Sequence, residues 1–463
     1  MRLSLSKQSI TSVRTDLLAL GVRSPKPARD PLVAKLDRLL GGVLSRCIKG
    51  EEFDGKKGEK LEIPAYGRIR AQRLLLVGLG PEKNRNDESD TRRVAITAAH
   101  AAKNRSSVAL VATADDAGIL RAAAEGAVTG SYQFTRYLTG KRKPRRKLGK
   151  AVILFERAPT AADTAVVRQG QALGEAVNFA RDLVNIPAND MGPAALAEMA
   201  AEQCKAEGIA CKVYDKKAIE KLGMPLLLAV NQGGKREPRF VHMIYKPDNP
   251  AKNTPRVAFV GKGLTFDSGG LCLKPPGSMV NMKSDMAGAA TTAGILVAAA
   301  RLQLPVEVHG LITSTDNMIG GNAYRPGDVF PSREGKTVEI VNTDAEGRLI
   351  LADALAYATE MKPDYVIDHA TLTGACAVAL GDYRTGLFCD DEALVESYRK
   401  AAELTGEAYW RLPLDMELRD QLKSTIADIK HAGSRMGGAI TAALFLKEFV
   451  GNNRWMHLDV AGP

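Results

Sequence analysis

Aromatic residues are scarce in this 463-residue chain, where Phe, Trp and Tyr together make up 5%. With 43 glycines and abundant alanine, the interior must be filled by small and aliphatic side chains, which favours helices packed tightly on a sheet. The six cysteines, Cys47, Cys204, Cys211, Cys272, Cys376 and Cys389, show no C-x-x-C pair and no disulfide-like spacing. They read as reduced thiols, which argues against a disulfide-stapled secreted scaffold. Histidine is equally sparse: His100, His242, His309, His369, His431 and His457 are scattered and form no H-E-x-x-H. The opening MRLSLSKQSITS has no apolar core, so no secretory signal is expected. No run of roughly eighteen strongly apolar residues is present; the closest, Ala287 to Ala300, reads as a buried core helix. Gly78-x-Gly80 lacks the third glycine of a dinucleotide loop, with Lys83 in its place. These absences point to a soluble cytoplasmic protein with no membrane partner.

What is present is charge, unevenly placed. Residues 1–165 hold 32 Lys and Arg against 17 Asp and Glu, a surplus of +15, whereas the remainder holds 32 against 36. The overall charge of +11 therefore arises entirely in the first third of the chain. Part of it is concentrated in Lys141-Arg142-Lys143-Pro144-Arg145-Arg146-Lys147, either a handle for polyanions or a solvated basic loop.

Length and a 45% hydrophobic content predict two domains with sizeable cores. Strand and helix patterns alternate from the start. Arg73–Gly80, Ser107–Ala112 and Ala151–Phe155 read as strands. Asp90–Lys103, opened by an Asp-Thr cap, and Ala117–Tyr137 read as helices. Residues 1–160 are thus expected to form a basic α/β domain, 161–184 a connecting helix and 185–463 a larger domain. In the latter, helices Pro193–Glu207 and Lys217–Leu222 are expected among strands Cys211–Tyr214, Val257–Val260, Val306–Leu311, Val338–Val341 and Tyr365–His369. Such alternation predicts a mixed, mainly parallel sheet covered by helices, with ligands gathered at the carboxyl ends of its strands. Lys262, Asp344 and Thr371 are each read as following a strand directly.

The chemistry lies in two clusters. Val341-Asn342-Thr343-Asp344-Ala345-Glu346-Gly347-Arg348-Leu349 places two carboxylates and an arginine at alternate positions where an apolar strand gives way to a helix. Carboxylates flanked by this much apolar sequence need a cation to offset their desolvation. Upstream, a strand at Arg256–Val260 runs into Gly261-Lys262-Gly263-Leu264-Thr265-Phe266-Asp267-Ser268-Gly269-Gly270-Leu271-Cys272-Leu273-Lys274, followed by Asp285. Lys262, Asp267, Asp285, Asp344 and Glu346 are the candidate metal ligands, with Lys274 and Arg348 as further cations. Such a set can bridge two divalent ions at the roughly 3.5–4 Å separation of a two-metal hydrolase. Oxygen ligands alone favour Mg²⁺ or Mn²⁺, and a lysine can ligate only when neutral. Asp285 could instead cap the helix that follows, Met286–Ala300, and Asp344 could cap its own.

Asn342–Leu349 is the run NTDAEGRL. With the spacing of Lys262, Asp267, Lys274 and Asp285, it makes the chain resemble the leucyl (cytosol) aminopeptidases, dinuclear metal exopeptidases. The resemblance covers about Asn185 to Pro463 and is weaker before that. It implies a macro-domain-like N-terminal module and two ions, Zn²⁺, Mn²⁺ or Co²⁺. Asp267 and Glu346 would bridge the ions, Asp344 would complete one shell, and Lys262 and Asp285 the other. A shared hydroxide would attack the first peptide carbonyl while the free α-amine binds on the Lys262 side. Lys274 would steady the oxyanion, and Arg348 would hold a bicarbonate that shuttles the proton. Met282, Asn342, Thr371, Leu372, Gly374 and Ala461 map to the substrate pocket, which suits Leu- or Met-like side chains, although Met282 and Leu372 could be plain core. His369 stands where relatives carry an apolar residue. Relatives also continue past Ala461-Gly462-Pro463, so one pocket wall is expected to lie beyond this sequence. The resemblance further implies a homohexamer. A DNA-binding role through the basic first domain, or a sibling preference for acidic residues or Cys-Gly dipeptides, are the rival readings.

Overall fold

The computed structural model describes residues 1–112 and 114–463. The chain separates into two compact units, Met1–Asn178 and Phe179–Pro463. Among the described residues of the first unit, one sheet contains β1 (Arg2–Ser6), β2 (Thr15–Ser24), β3 (Lys60–Pro64), β4 (Ala71–Pro81), β5 (Ser107–Val111) and β6 (Lys150–Leu154). Their order is β1-β6-β5-β2-β4-β3, and all neighbours are parallel except β3 and β4. The central strands read as continuous apolar runs because both faces are covered. Along β2, Leu18 and Leu20 pack with the helices Pro31–Leu39 and Val43–Gly50, while Leu17 and Ala19 pack with Asp87–Ala101 and Ala117–Gly130. Those last two helices touch through small residues. A Cβ on Gly126 would lie 2.5 Å from the Arg92 carbonyl, and one on Gly130 2.4 Å from that of Ile96.

Two local expectations change here. The cap of Asp87–Ala101 is Asn86, whose side chain accepts from Ser89 N, so Asp90 lies inside the first turn. The helix begun at Ala117 stops at Gly130 rather than Tyr137, well short of the basic run.

In the second unit the described strands are β7 (Ala210–Tyr214), β8 (Arg239–Tyr245), β9 (Arg256–Asp267), β10 (Glu307–Asn317), β11 (Val329–Pro331), β12 (Thr337–Glu339), β13 (Tyr365–Ala370), β14 (Thr385–Phe388), β15 (Tyr409–Arg411), β16 (Ile429–Lys430) and β17 (Trp455–Asp459). Eight of them form a mixed sheet in the order β15-β14-β17-β13-β9-β10-β8-β7, parallel from β17 through β10. β11, β12 and β16 form a separate small sheet. The expected strand Val338–Val341 is therefore not in the main sheet. It shortens to β12, after which the backbone leaves strand pairing for a turn. β8, and a helix at Pro225–Asn231, add to the elements the sequence suggested.

The helix Gly347–Glu360 is buried over most of its length against the core that contains Val260, Leu311, Val366 and Phe445. Glycine sets how closely the helix Ala287–Leu302 approaches the sheet. A Cβ on Gly261 of β9 would lie 2.5 Å from the Gly288 carbonyl, and one on Gly288 would lie 2.0 Å from that of His369. Backbone thus rests on backbone, which brings the start of this helix against the middle of β9.

Candidate active site

That close approach joins Asp285 to Lys262. Lys262 lies inside β9 rather than after it, its side chain almost fully buried. Its ammonium sits 2.9 Å from Asp285 Oδ2 and 3.0 Å from Glu346 Oε1, and donates to the Thr371 carbonyl at 2.8 Å. The Thr371 hydroxyl donates to Asp285 Oδ1 at 2.6 Å. Asp285 does not cap the helix Ala287–Leu302, since the position before that helix is Met286, without a side-chain cap bond. Asp344 likewise makes no cap; the helix at Gly347 opens from Glu346.

The second lysine closes the other side. Lys274 Nζ lies 2.8 Å from Asp267 Oδ2 and 2.6 Å from Asp344 Oδ1. Asp267 ends β9, and its Oδ1 accepts from Gly269 N and from Asn317 Nδ2, both at 2.8 Å. Asp267, Asp344 and Glu346 each offer a carboxylate oxygen within 4.8 Å of the others. All five expected ligands and Lys274 are thus brought to one place.

The electrostatics follow from crowding four acids, three of them buried and Asp344 half-buried, at one place. Burial, and then the charge of Asp267, raise the pKa of Glu346 well above the carboxylate range. Burial also raises Asp285 and Asp344. For Lys262, burial opposes the charge, but Asp285, Glu346 and Asp267 outweigh it and hold the pKa above that of free lysine. Lys274 behaves in the same way, chiefly through Asp267. Glu346 Oε2 is buried with no hydrogen-bond partner. Oxygen donors held above their ordinary pKa, one of them an orphan, fit divalent cations, whose charge would reverse these shifts.

Arg348 follows on the helix, buried, and donates from Nη1 to the His431 carbonyl at 3.0 Å, while its Nε has no partner. Burial lowers its pKa to about 10. Of the pocket candidates, Thr371 and Leu372 sit on the loop after β13, and Leu372 packs on the core. Gly374 is exposed at the start of the helix Gly374–Leu380. Met282 is half-buried on a short turn of helix, Met282–Ser284. The exposed Asn342 uses its side chain locally, Oδ1 accepting from Asp344 N at 3.0 Å. Ala461 is half-buried and donates from its backbone to Asp459 Oδ1. His369 is a core residue: its ring stacks on Phe259, and burial lowers its pKa to about 4.

Three supporting residues escaped the sequence reading. Asn317, fully buried at the end of β10, donates to Asp267 Oδ1 and to the Thr343 carbonyl at 2.9 Å. Thr343 links the two segments that carry the candidate ligands, its hydroxyl donating to the Gly269 carbonyl and accepting from Cys272 N. Asp459 is the third. Thr-Ser-Thr-Asp-Asn at the end of an apolar strand, and a lone acid in Trp-Met-His-Leu-Asp, were the available signals.

Residues 178–463 match the model of the cytosol aminopeptidase family's catalytic domain, and residues 19–141 that of its N-terminal domain. A probable cytosol aminopeptidase of Aquifex aeolicus is 44% identical over 437 residues, covering 93% of this chain and 87% of its own. One from Geobacter sp. strain M21 is 42% identical over 466 residues, covering 100% and 94%. Among solved structures, a tomato leucine aminopeptidase mutant superposes with a TM-score of 0.89 at 35% identity, covering 100% of this chain and 92% of the other. The bottromycin maturation enzyme BotP in complex with Mn gives 0.82 at 36% identity, covering 97% and 93%.

Proposed function

The chain belongs to the cytosol aminopeptidase family and is a metal-dependent aminopeptidase; from that premise we propose that it removes Leu- or Met-like residues from peptide N-termini through a two-metal site. The observation that carries this reading is the convergence of Asp267, Asp344 and Glu346, with Asp285 joined to them through Lys262. Lys262, Asp267, Asp285, Asp344 and Glu346 would hold two ions, Zn²⁺ or Mn²⁺ with Co²⁺ or Mg²⁺ as alternatives. Divalent ions in such a site supply Lewis acidity and a water acidified enough to act as nucleophile near neutral pH.

The chain's own groups do the rest. Lys262 can join as a ligand only as a neutral amine, so ion binding must release its proton. Lys274, poised between Asp267 and Asp344, presents a cation to the oxyanion that develops on the peptide carbonyl. Arg348 cannot act as a base; its unpartnered Nε suits a small oxyanion such as bicarbonate, which would carry the proton. Leu372 supplies apolar wall beside the site, and Met282 an adaptable one.

The test is release of p-nitroaniline from leucine-p-nitroanilide after chelation and re-addition of Mn²⁺ or Zn²⁺, alongside an N-acetylated substrate. Activity restored by metal on the free-amine substrate alone is the expected result. Equal cleavage of the blocked substrate would refute an exopeptidase.

A second reading has its own observation. Lys141, Arg142, Lys143, Arg145, Arg146 and Lys147 are all exposed, with no salt bridge to any of them among the described residues. This patch would bind duplex DNA electrostatically, with affinity falling steeply as salt rises. A gel shift should show binding at low salt that is lost when the six cations are neutralised. No shift at low salt removes the reading.

A further inference from the structure

Asp459 ends β17 between Ala370 of β13 and Gly386 of β14, and is fully buried. Its Oδ1 accepts from the backbone N–H of Leu372 at 3.2 Å, Thr373 at 3.4 Å and Ala461 at 3.1 Å. Its Oδ2 accepts from the Thr373 hydroxyl at 2.7 Å. That hydroxyl in turn accepts from Cys376 N at 3.0 Å and caps the helix Gly374–Leu380. Four neutral donors therefore converge on one carboxylate, and they come from the loop after β13 and from the segment after β17. The same loop gives its Thr371 carbonyl to Lys262 and its Thr371 hydroxyl to Asp285.

We propose that Asp459 is a positioning residue of the specificity pocket, the buried side chain that ties Leu372 and Ala461 to each other beside Lys262. The inference rests on the peptidase reading above. Asp459 touches no reacting atom in this arrangement; it acts through the loop it holds. Three N–H groups share Oδ1, so an amide at this position keeps the main acceptor, whereas an alanine leaves all four donors unpaired. A pocket wall released in this way would lose its discrimination between a large and a small side chain before it lost the metal site.

The experiment compares kcat/KM for leucine- and alanine-p-nitroanilide in metal-loaded wild type, Asp459→Asn and Asp459→Ala, with bound metal measured on each. The leucine-to-alanine ratio should fall roughly tenfold in Asp459→Ala, mostly through KM for the leucine substrate. Asp459→Asn should lose only about twofold to threefold, because Oδ1 is retained. Metal content should match wild type in both. An unchanged ratio in both variants, or an equal loss on both substrates, overturns the proposal. If Asp459→Ala does not fold, Asp459→Asn decides alone, and a wild-type ratio there overturns it. A wild-type protein inactive on both anilides removes the peptidase reading itself, and this inference with it.

Discussion

At the scale of single residues, Asn317 shows how much of the proposed metal site lies outside its proposed ligands. Its amide donates to Asp267 Oδ1 and to the Thr343 carbonyl, so one side chain orients a ligand and holds the Asn342–Leu349 segment in register with β9. Its surroundings are tight: a Cβ on Gly270, which adopts a φ of +63, would come within 2.9 Å of Asn317 Oδ1 and 3.1 Å of Thr343 Oγ1. Groups that orient ligands typically carry one to two orders of magnitude in metal affinity. Asn317→Ala should therefore weaken divalent-ion binding about 10- to 100-fold, read by competition with a chelating dye. The Thr343 carbonyl keeps its second donor, the Tyr324 hydroxyl at 2.8 Å, so the fold should survive. Affinity within twofold of wild type would mean that Asp267 is oriented without Asn317, by the Gly269 backbone and Lys274.

At the scale of elements, the site was legible where chemistry is written in contiguous residues and opaque where it depends on pairing. The run from Asn342 to Leu349 announces its carboxylates because acids in apolar sequence demand a cation. The helix after them follows from Leu349, Ile350, Leu351 and Leu355, all fully buried. The strand before them misled, since Val338, Ile340 and Val341 have strand composition but only Thr337–Glu339 pairs, and in the small sheet. Composition reports burial, whereas hydrogen-bond partners belong to the whole fold. Lys262 was expected at a strand end by the rule for parallel sheets. It lies within β9, which continues to Asp267 alongside β10 through a bulge at Thr315 and Asp316. The two proposed ligands of β9 are therefore set by one extended strand, a more rigid support than a loop. Asp285 was correctly placed at a helix start, but what brings it to Lys262 is the glycine contact between Gly261 and Gly288, visible only once the layers are assembled. Asp459 was missed for the same reason, as its donors come from residues far apart in sequence.

At the scale of the second unit, buried imidazoles tie stability to pH. Burial lowers His242, His369 and His431 to about 4, helped at His242 by His309 and at His431 by Arg348. In the unfolded chain each titrates near its ordinary pKa of roughly 6.5. A base whose folded pKa is depressed lets the unfolded state bind more protons between the two values, so the contribution of each such histidine is complete above pH 6.5 and falls as pH drops towards 4. Each histidine can remove on the order of 3 kcal/mol at the acid end. His457 works in the adjoining range. Burial opposes its charge, but Asp368, whose Oδ1 lies 2.5 Å from Nδ1, raises its pKa, so its contribution is complete below 6.5 and fades only as pH rises above that. The buried acids act in the acid range in the opposite sense: burial holds Glu346, Asp285 and Asp353 above their ordinary pKa, so the folded state takes up their protons first and gains stability there as pH falls. The chain has two tryptophans, Trp410 and Trp455, both in this unit, and Trp455 stacks on His457 in the interior, so intrinsic fluorescence reports its unfolding. Urea titrations with chelator present, at pH 6.5 and pH 4.5, should show that acidification costs wild type more stability than it costs His242→Gln, by about one histidine's share, because the buried acids contribute alike to both proteins. An equal pH dependence in wild type and His242→Gln would show that the His242 imidazole is solvated, and charged, in the folded protein.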